Sequence, residues 1–321
     1  MSTPQPSLAK RPWAYSAFPV TVRAIRRLSP KFLRVTFFGD ALQHFAPWGL
    51  DQRIKLVLPM PGDAPRDFRL AEFGLLEQPT PHPSDWYQRW RLLPEGERNV
   101  LRTYTPAAIR PEVRELDVDV FIHEPAGPAS AWALAARPGD HLVITGPDAR
   151  NGWTGYGIHW QPETHDRFLI VADETAFPAA RNIVASLPPG AEVDLLLDID
   201  DPADDLVSGD FAVTGAGAAS GRADTGTAIA SDTAIATVRL VVAERGTSTG
   251  PNDLTGVERA VRRWGAEHGA TARDDPRWFV WLAGESGATT RIRRYLTSEL
   301  GIAKDRIAFL GYWRIGGALV G

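Results

Sequence analysis

The run Arg102-Thr103-Tyr104-Thr105-Pro106 sets a guanidinium, a phenol ring and two hydroxyls along one short stretch. On an extended strand, positions 102 and 104 point one way and 103 and 105 the other. Such a strand offers a cation for a phosphate, a ring face for stacking and a hydroxyl for a polar ring edge. Further along, Gly127-Pro128-Ala129-Ser130 opens a short apolar helix. First-turn N–H groups there lack intrahelical partners and favour an anion, and Ser130 adds a hydroxyl. His123 ends the strand before it and can lie beside the same anion. A ring face, a polar ring edge and a pyrophosphate are what a flavin dinucleotide needs held, and the two segments meet that demand in this order. Read one at a time, they also fit an ordinary strand ending at Pro106 and plain helix capping.

Two kinds of scaffold must position these residues. Val20, Val22 and Ala24, then Phe32, Val35 and Phe37, alternate around Ser29-Pro30 and predict a pair of strands. Residues 53–58, 100–105, 116–123 and 141–146 predict four more. About six short strands separated by turn signals predict a small antiparallel barrel over residues 16–150. Residues 129–136 read as a short helix, with Pro128 suited to its first position. The connection 60–99 is long and holds Trp86, Tyr87 and Trp90. Residues 1–15 read as a flexible arm.

After Gly146 the pattern changes. Apolar strands over 168–172, 193–199, 238–243, 278–283 and 307–312 alternate with helices ending near 187 and spanning 254–268 and 288–300. This predicts a doubly wound, mostly parallel sheet over residues 151–321. Ligands bind at the carboxyl ends of such strands. That marks Asp173-Glu174-Thr175-Ala176 and Ala283-Gly284-Glu285-Ser286-Gly287. Neither is a Gly-x-Gly-x-x-Gly turn, and acidic residues sit poorly beside a pyrophosphate. The first turn therefore reads as facing a nicotinamide or a flavin ring, although both turns also fit helix capping. Residues 201–236 are rich in Ala, Gly, Asp, Ser and Thr, and predict a disordered, dispensable insertion.

Composition narrows the chemistry. The 321 residues are 44% hydrophobic, enough for two cores, and the net charge of −4 argues against a nucleic-acid partner. There is no apolar run long enough to span a bilayer and no leader pattern, so a soluble cytoplasmic protein is expected. With no cysteine there is no disulfide, thiolate iron–sulfur cluster or cysteine zinc site. The seven histidines are scattered, and no metal-ligand set is expected. If the protein moves electrons, an organic cofactor carries them.

Five runs then occur in order: Arg102-Thr103-Tyr104-Thr105, His123 to Trp132 with Gly-Pro-Ala-Ser, Asp173-Glu174-Thr175-Ala176, Ala283-Gly284-Glu285, and Gly311-Tyr312-Trp313-Arg314. Over about 16–200 and 237–316 the chain resembles the siderophore-interacting protein family, FAD-dependent ferric-siderophore reductases related to ferredoxin–NADP reductases. The resemblance implies an FAD-binding barrel followed by an NAD(P)H-binding domain. It implies FAD contacts for Arg102, Thr103, Tyr104 and Thr105, a pyrophosphate lined by His123, Ala129 and Ser130, and a nicotinamide bordered by Thr175. Lys55, in Asp51-Gln52-Arg53-Ile54-Lys55, matches a recurrent family lysine near the iron-chelate cavity, and Arg314 is expected as a second basic wall residue. The implied partners are a ferric siderophore and NAD(P)H, with ferredoxin as an alternative donor or acceptor. No catalytic side chain is implied. A flavin reductase with another acceptor, and a flavin-free module that binds ferric chelates, remain open alternatives. Two positions depart from the family pattern: Ala107 and Ala131 stand where arginine is common. Arg110 lies near enough in sequence to compensate for the first.

Overall fold

A computed structural model describes residues 15–60, 86–210, 212–213, 224–230, 234–244 and 254–316. Residues 1–14 of the arm expected over 1–15, most of the 60–99 connection and parts of 201–236 lie outside the described residues, and Tyr15 already belongs to the first strand.

The first sheet contains β1 (Tyr15–Ser29), β2 (Phe32–Phe38), β3 (Ile54–Val57), β4 (Leu101–Tyr104), β5 (Ala108–Arg110), β6 (Glu115–Phe121) and β7 (His141–Pro147). Its order is β4-β3-β7-β1-β2-β6-β5, and every pair is antiparallel. The count is seven strands, not the six expected. The extra strand, β5, is three residues directly after the Pro106 turn, too short to show alternation. Strand β2 shows why the sheet curls around a core: Leu33, Val35 and Phe37 are buried in it, while Arg34 and Thr36 face outward. Those outward residues bond across to β6, Arg34 Nε to Asp119 Oδ1 at 2.7 Å and Thr36 Oγ1 to Asp117 Oδ1 at 2.7 Å. Helices α1 (Trp86–Leu92) and α2 (Pro128–Ala135) pack on this core through Trp86 and Ala133.

The second sheet runs β10-β11-β12-β9-β8-β13-β14. Its parallel part comprises β8 (Arg167–Asp173), β9 (Glu192–Ile199), β12 (Ala234–Glu244), β13 (Trp278–Glu285) and β14 (Ile307–Trp313). Alternate residues of β8 feed two cores. Phe168 and Ile170 meet α3 (Phe177–Ala185), whereas Leu169 and Val171 meet α4 (Gly256–Asp274) and α5 (Ser286–Arg294). Helix α4 starts with a capping box: Thr255 N donates to Glu258 Oε2 (2.8 Å) and Glu258 N to Thr255 Oγ1 (3.3 Å).

Of the disordered insertion expected over 201–236, residues 211, 214–223 and 231–233 lie outside the described residues. Strand β11 (Asp224–Ala230) pairs antiparallel with β12, and β10 (Ala212–Val213) pairs antiparallel with β11. Asp204 and Val207 are both 0% exposed. Asp204 Oδ1 accepts from Ser29 Oγ (2.5 Å) and Lys31 N (2.8 Å), so this segment holds the β1–β2 turn of the barrel. Val207 packs into the core beside α3 with Leu206 alongside, so a buried acid and an apolar residue both anchor residues 204–207.

The α3-side core crosses between the two sheets. Phe32 of β2 belongs to it, stacking on Phe177 at 6.1 Å between centroids and meeting Phe121 at 5.2 Å, with Leu28, Trp48 and Leu50 packed alongside. Burial of a phenylalanine contributes about 2–3 kcal/mol, so the seam is a core in its own right. Polar ties complete it. Asn182 Nδ2 donates to Leu50 O (3.1 Å) and Pro106 O (3.0 Å). Asp51, 1% exposed, accepts from Trp281 Nε1 (3.0 Å), His159 N (3.1 Å) and Trp160 N (3.2 Å). Burial still pushes its carboxyl above the ordinary value, with these donors opposing.

Candidate functional site

Strand β4 lies at the edge of the first sheet, beside β3, with Ile54 opposite Tyr104, Lys55 opposite Thr103 and Leu56 opposite Arg102. Paired residues share a face. Arg102 and Tyr104 therefore lie on the side of the buried Ile54 and Leu56. Lys55 and Thr103 lie on the other side, where Lys55 Nζ donates to Thr103 Oγ1 at 3.3 Å.

Arg102 differs from Arg34, Arg110 and Arg150. Arg34 pairs with Asp119 (2.7 Å), Arg110 with Asp117 (2.9 Å) and Glu115 (3.1 Å), and Arg150 with Asp148 (2.5 Å). Arg102 is half-buried, and among the described residues its guanidinium donates only to Leu101 O (2.8 Å). Burial pulls it below its ordinary value. A partly desolvated cation without a carboxylate is costly unless an anion joins it. The donor set therefore fits a phosphate-bearing group. Arg110 does not stand in for the arginine absent at 107, because its donors are committed to Asp117 and Glu115.

The start of α2 also leaves donors free, though not as its sequence suggests. Ser130 Oγ accepts from His123 N (3.1 Å) and donates to Phe121 O (3.4 Å), so its hydroxyl ties the helix to the end of β6. The cap residue Gly127 supplies no side-chain bond, and a Cβ added there meets nothing within 4 Å. Ala131 N already bonds Gly127 O (2.8 Å), leaving the N–H groups of Ala129 and Ser130 for an approaching group. The His123 ring stands between Phe121 (5.0 Å) and Trp313 of the second sheet (6.0 Å).

The second sheet contributes the carboxyl ends of β8, β13 and β14. Asp173 Oδ1 accepts from Thr175 N (3.0 Å) and Thr175 Oγ1 (2.5 Å), and its Oδ2 accepts from Trp313 Nε1 (2.7 Å). Thr175 is thus an oriented part of a 3-10 turn. Gly284, at φ +153°, passes directly under Asp173, and a Cβ there would come within 2.6 Å of Asp173 Oδ2. Ser286 Oγ donates to Trp313 O (2.8 Å), and a Cβ on Gly311 would meet that hydroxyl at 2.2 Å. Glu285 caps α5 by accepting from Ala288 N (2.7 Å). The runs around 173, 284 and 312 interlock.

The two halves meet at Thr105, whose Oγ1 shares a hydrogen bond with Tyr312 Oη at 3.4 Å. Burial drives the phenols of Tyr104 and Tyr312 well above the ordinary tyrosine value, so both stay neutral donors. The structure links Thr105 to Tyr312, and through Trp313 it links His123 to Asp173 and so to Thr175; Arg102 and Tyr104 share one face of the strand that ends at this corner. Lys55 is held apart on the opposite face of the β3–β4 pair, and Arg314 is exposed just beyond β14. Asp51, Arg53, Asn182 and Trp313 also help to build this region. Asp51 and Arg53 belong to the run singled out for its lysine, and Trp313 to the Gly-Tyr-Trp-Arg run, so their positions were visible but their contacts were not. Among the described residues no His, Asp or Glu cluster is placed to hold a metal, and no helix is long and apolar enough to cross a membrane.

Comparison with known proteins gives two family matches that adjoin along the chain. Residues 21–151 match the siderophore-interacting FAD-binding domain, and residues 165–316 match the siderophore-interacting protein domain. A mycobactin import ATP-binding/permease protein, IrtA, of Mycolicibacterium smegmatis is 27% identical over 252 residues, covering 78% of this chain and 24% of that protein. An NADPH-dependent ferric-chelate reductase of Escherichia coli is 34% identical over 169 residues, covering 52% of this chain and 56% of that protein. The chain thus spans about a quarter of the first relative's length and about half of the second's. A siderophore utilization protein from T. fusca has the same fold, with a TM-score of 0.64 at 24% identity, covering 96% of this chain and 97% of that one.

Proposed function

Because the chain belongs to the siderophore-interacting, FAD-binding family, we propose that it reduces ferric siderophores with NAD(P)H through FAD, releasing ferrous iron in the cytoplasm. One nicotinamide gives up a hydride and becomes NAD(P)+. Two ferric chelates take one electron each, and the remaining proton passes to solvent. Flavin, when bound, supplies the conversion between two-electron and one-electron transfer.

The residues of the chain hold and orient. Arg102 neutralises a phosphate, and the N–H groups of Ala129 and Ser130 take the pyrophosphate beside His123. Tyr104 lines the cofactor, Thr103 is turned to the Lys55 side and is not part of that lining, and Thr105, fixed by Tyr312, meets the polar ring edge. Thr175, oriented by Asp173, borders the nicotinamide. Lys55 and Arg314 attract an anionic chelate against the chain's net negative charge. No side chain needs to move a proton. Iron in the ferrous state is a poorer match for hard oxygen donors and leaves the chelator.

The observation that carries this reading is Arg102, half-buried with no carboxylate partner among the described residues. Purified protein should be yellow with stoichiometric FAD. Given NAD(P)H and a ferric chelate without oxygen, it should form two ferrous ions, trapped by a coloured ferrous chelator, per nicotinamide oxidised. A colourless protein that binds no FAD, or a flavoprotein that oxidises NAD(P)H but reduces no ferric chelate, would refute it.

A further inference from the structure

One exposed surface gathers aromatic rings around two cations. Trp153 is 63% exposed and Tyr156 42%. Trp153 meets Trp48 with ring centroids 4.7 Å apart, and Tyr156 meets Tyr15 edge-on at 5.1 Å. The Arg53 guanidinium lies 5.9 Å from the centre of the Tyr156 ring, and Tyr15 Oη donates to Arg53 O at 2.6 Å. Gly157, at φ +81°, lets these groups close up, because a Cβ there would stand 2.4 Å from Tyr15 Oη and 3.3 Å from Arg53 Cβ.

The shelf continues to the expected chelate side. Lys55 lies two residues beyond Arg53, with its ammonium 5.9 Å from the Tyr87 ring. Burial, and then the nearby Arg53 charge, lowers the Lys55 ammonium below its ordinary value. Among the described residues neither cation forms an ion pair with a carboxylate.

We propose that the shelf of Trp48, Trp153 and Tyr156 around Arg53 and Lys55 selects anionic ferric chelates that carry aromatic rings, as catecholates do, over aliphatic hydroxamates. The proposal rests on the ferric-reductase reading and names the class of chelate that the site takes. Two features of such a ligand match the shelf. Its negative charge meets two uncompensated cations. Its planar rings stack or lie edge-on against exposed indole and phenol, while Arg53 can cover a ring face. An aliphatic chelate of equal charge offers only the first feature.

Binding can be read without turnover by using gallium(III), a redox-inert ion of the same charge, in full-length FAD-loaded protein. Calorimetric titration compares gallium tris(2,3-dihydroxybenzoate) with the gallium complex of an aliphatic hydroxamate that carries added carboxylates to match its charge, and steady-state reduction compares the ferric forms. In Trp153→Ala and in Tyr156→Leu the preference for the aryl chelate should fall about tenfold, and Trp153→Phe should restore most of it. Flavin content reports folding. An unchanged preference in both variants overturns the proposal. So does a change of sedimenting mass with the preference intact, which would make the shelf a contact between copies. If wild type binds gallium chelates with the aryl preference but reduces neither ferric form, the reductase reading fails and the shelf stands.

Discussion

Replacing Arg102 by alanine tests whether an unpaired guanidinium waits for the cofactor. A charge-assisted hydrogen bond to a phosphate contributes about 1.5–3 kcal/mol, so FAD should bind about ten- to a hundredfold more weakly. At FAD well above both dissociation constants, the stabilisation that FAD confers falls by the same amount. For chains of this size that is roughly 2–4 °C per kcal/mol, or about 3–12 °C less thermal shift. The apoprotein should not lose stability, because the variant removes a half-buried cation that has no carboxylate partner among the described residues. Arg34→Ala is the control. It strips the partner from Asp119, whose side chain is 1% exposed, and should cost the apoprotein about 3 kcal/mol while leaving FAD affinity unchanged. The assays are flavin fluorescence titration and melting with and without FAD. An Arg102→Ala protein that keeps wild-type FAD affinity, or that melts lower only as apoprotein, refutes the reasoning.

Arg110→Ala should leave FAD affinity at the wild-type value in the same titration, since Asp117 and Glu115 hold that guanidinium; a weakened complex would return it to the cofactor. Asp204→Ala removes two hydrogen bonds between the second sheet and the β1–β2 turn and should lower the melting temperature by about 4–8 °C, whereas an unchanged melt would make the segment dispensable after all. For Glu258, burial alone would raise the carboxyl, but Arg291 at 2.6 Å and the Thr255 N–H hold it below its ordinary 4.5. Its contribution is therefore present above pH 4.5 and lost as pH falls through the depressed value. The melting difference between wild type and Glu258→Gln should be constant near neutrality and shrink below pH 4.5, and a difference that grows on acidification contradicts the pairing.

Much of the scaffold was legible because its periods are local. The alternation at Phe32, Val35 and Phe37 and the apolar run from Phe168 need only neighbouring residues to be read. The motif runs were legible for the same reason, each being a few residues at a strand end. What stayed hidden depends on partners distant in sequence. Asp51 looks like a solvated acid until Trp281 arrives 230 residues later. Arg110 looks available until β6 places Asp117 beside it. Ser130 has the right type and position for a phosphate contact, yet its hydroxyl is spent on the backbone of β6. The separation of Lys55 from Tyr104 follows from strand parity, but only once the β3–β4 register is known.

The phenylalanine seam between the two sheets has a consequence for how the pocket behaves in time. Phe32, Phe121 and Phe177, with Asp51, Asn182 and Asp204 tied across the same boundary, join the halves by the forces that hold each half together. A pair of lobes on a hinge must be drawn shut by its ligand, and some of the binding free energy goes into that closure. Here the corner between Thr105 and Tyr312 is set when the chain folds. A joint of this kind leaves side-chain rotation, faster by orders of magnitude than lobe movement, as the motion at that corner.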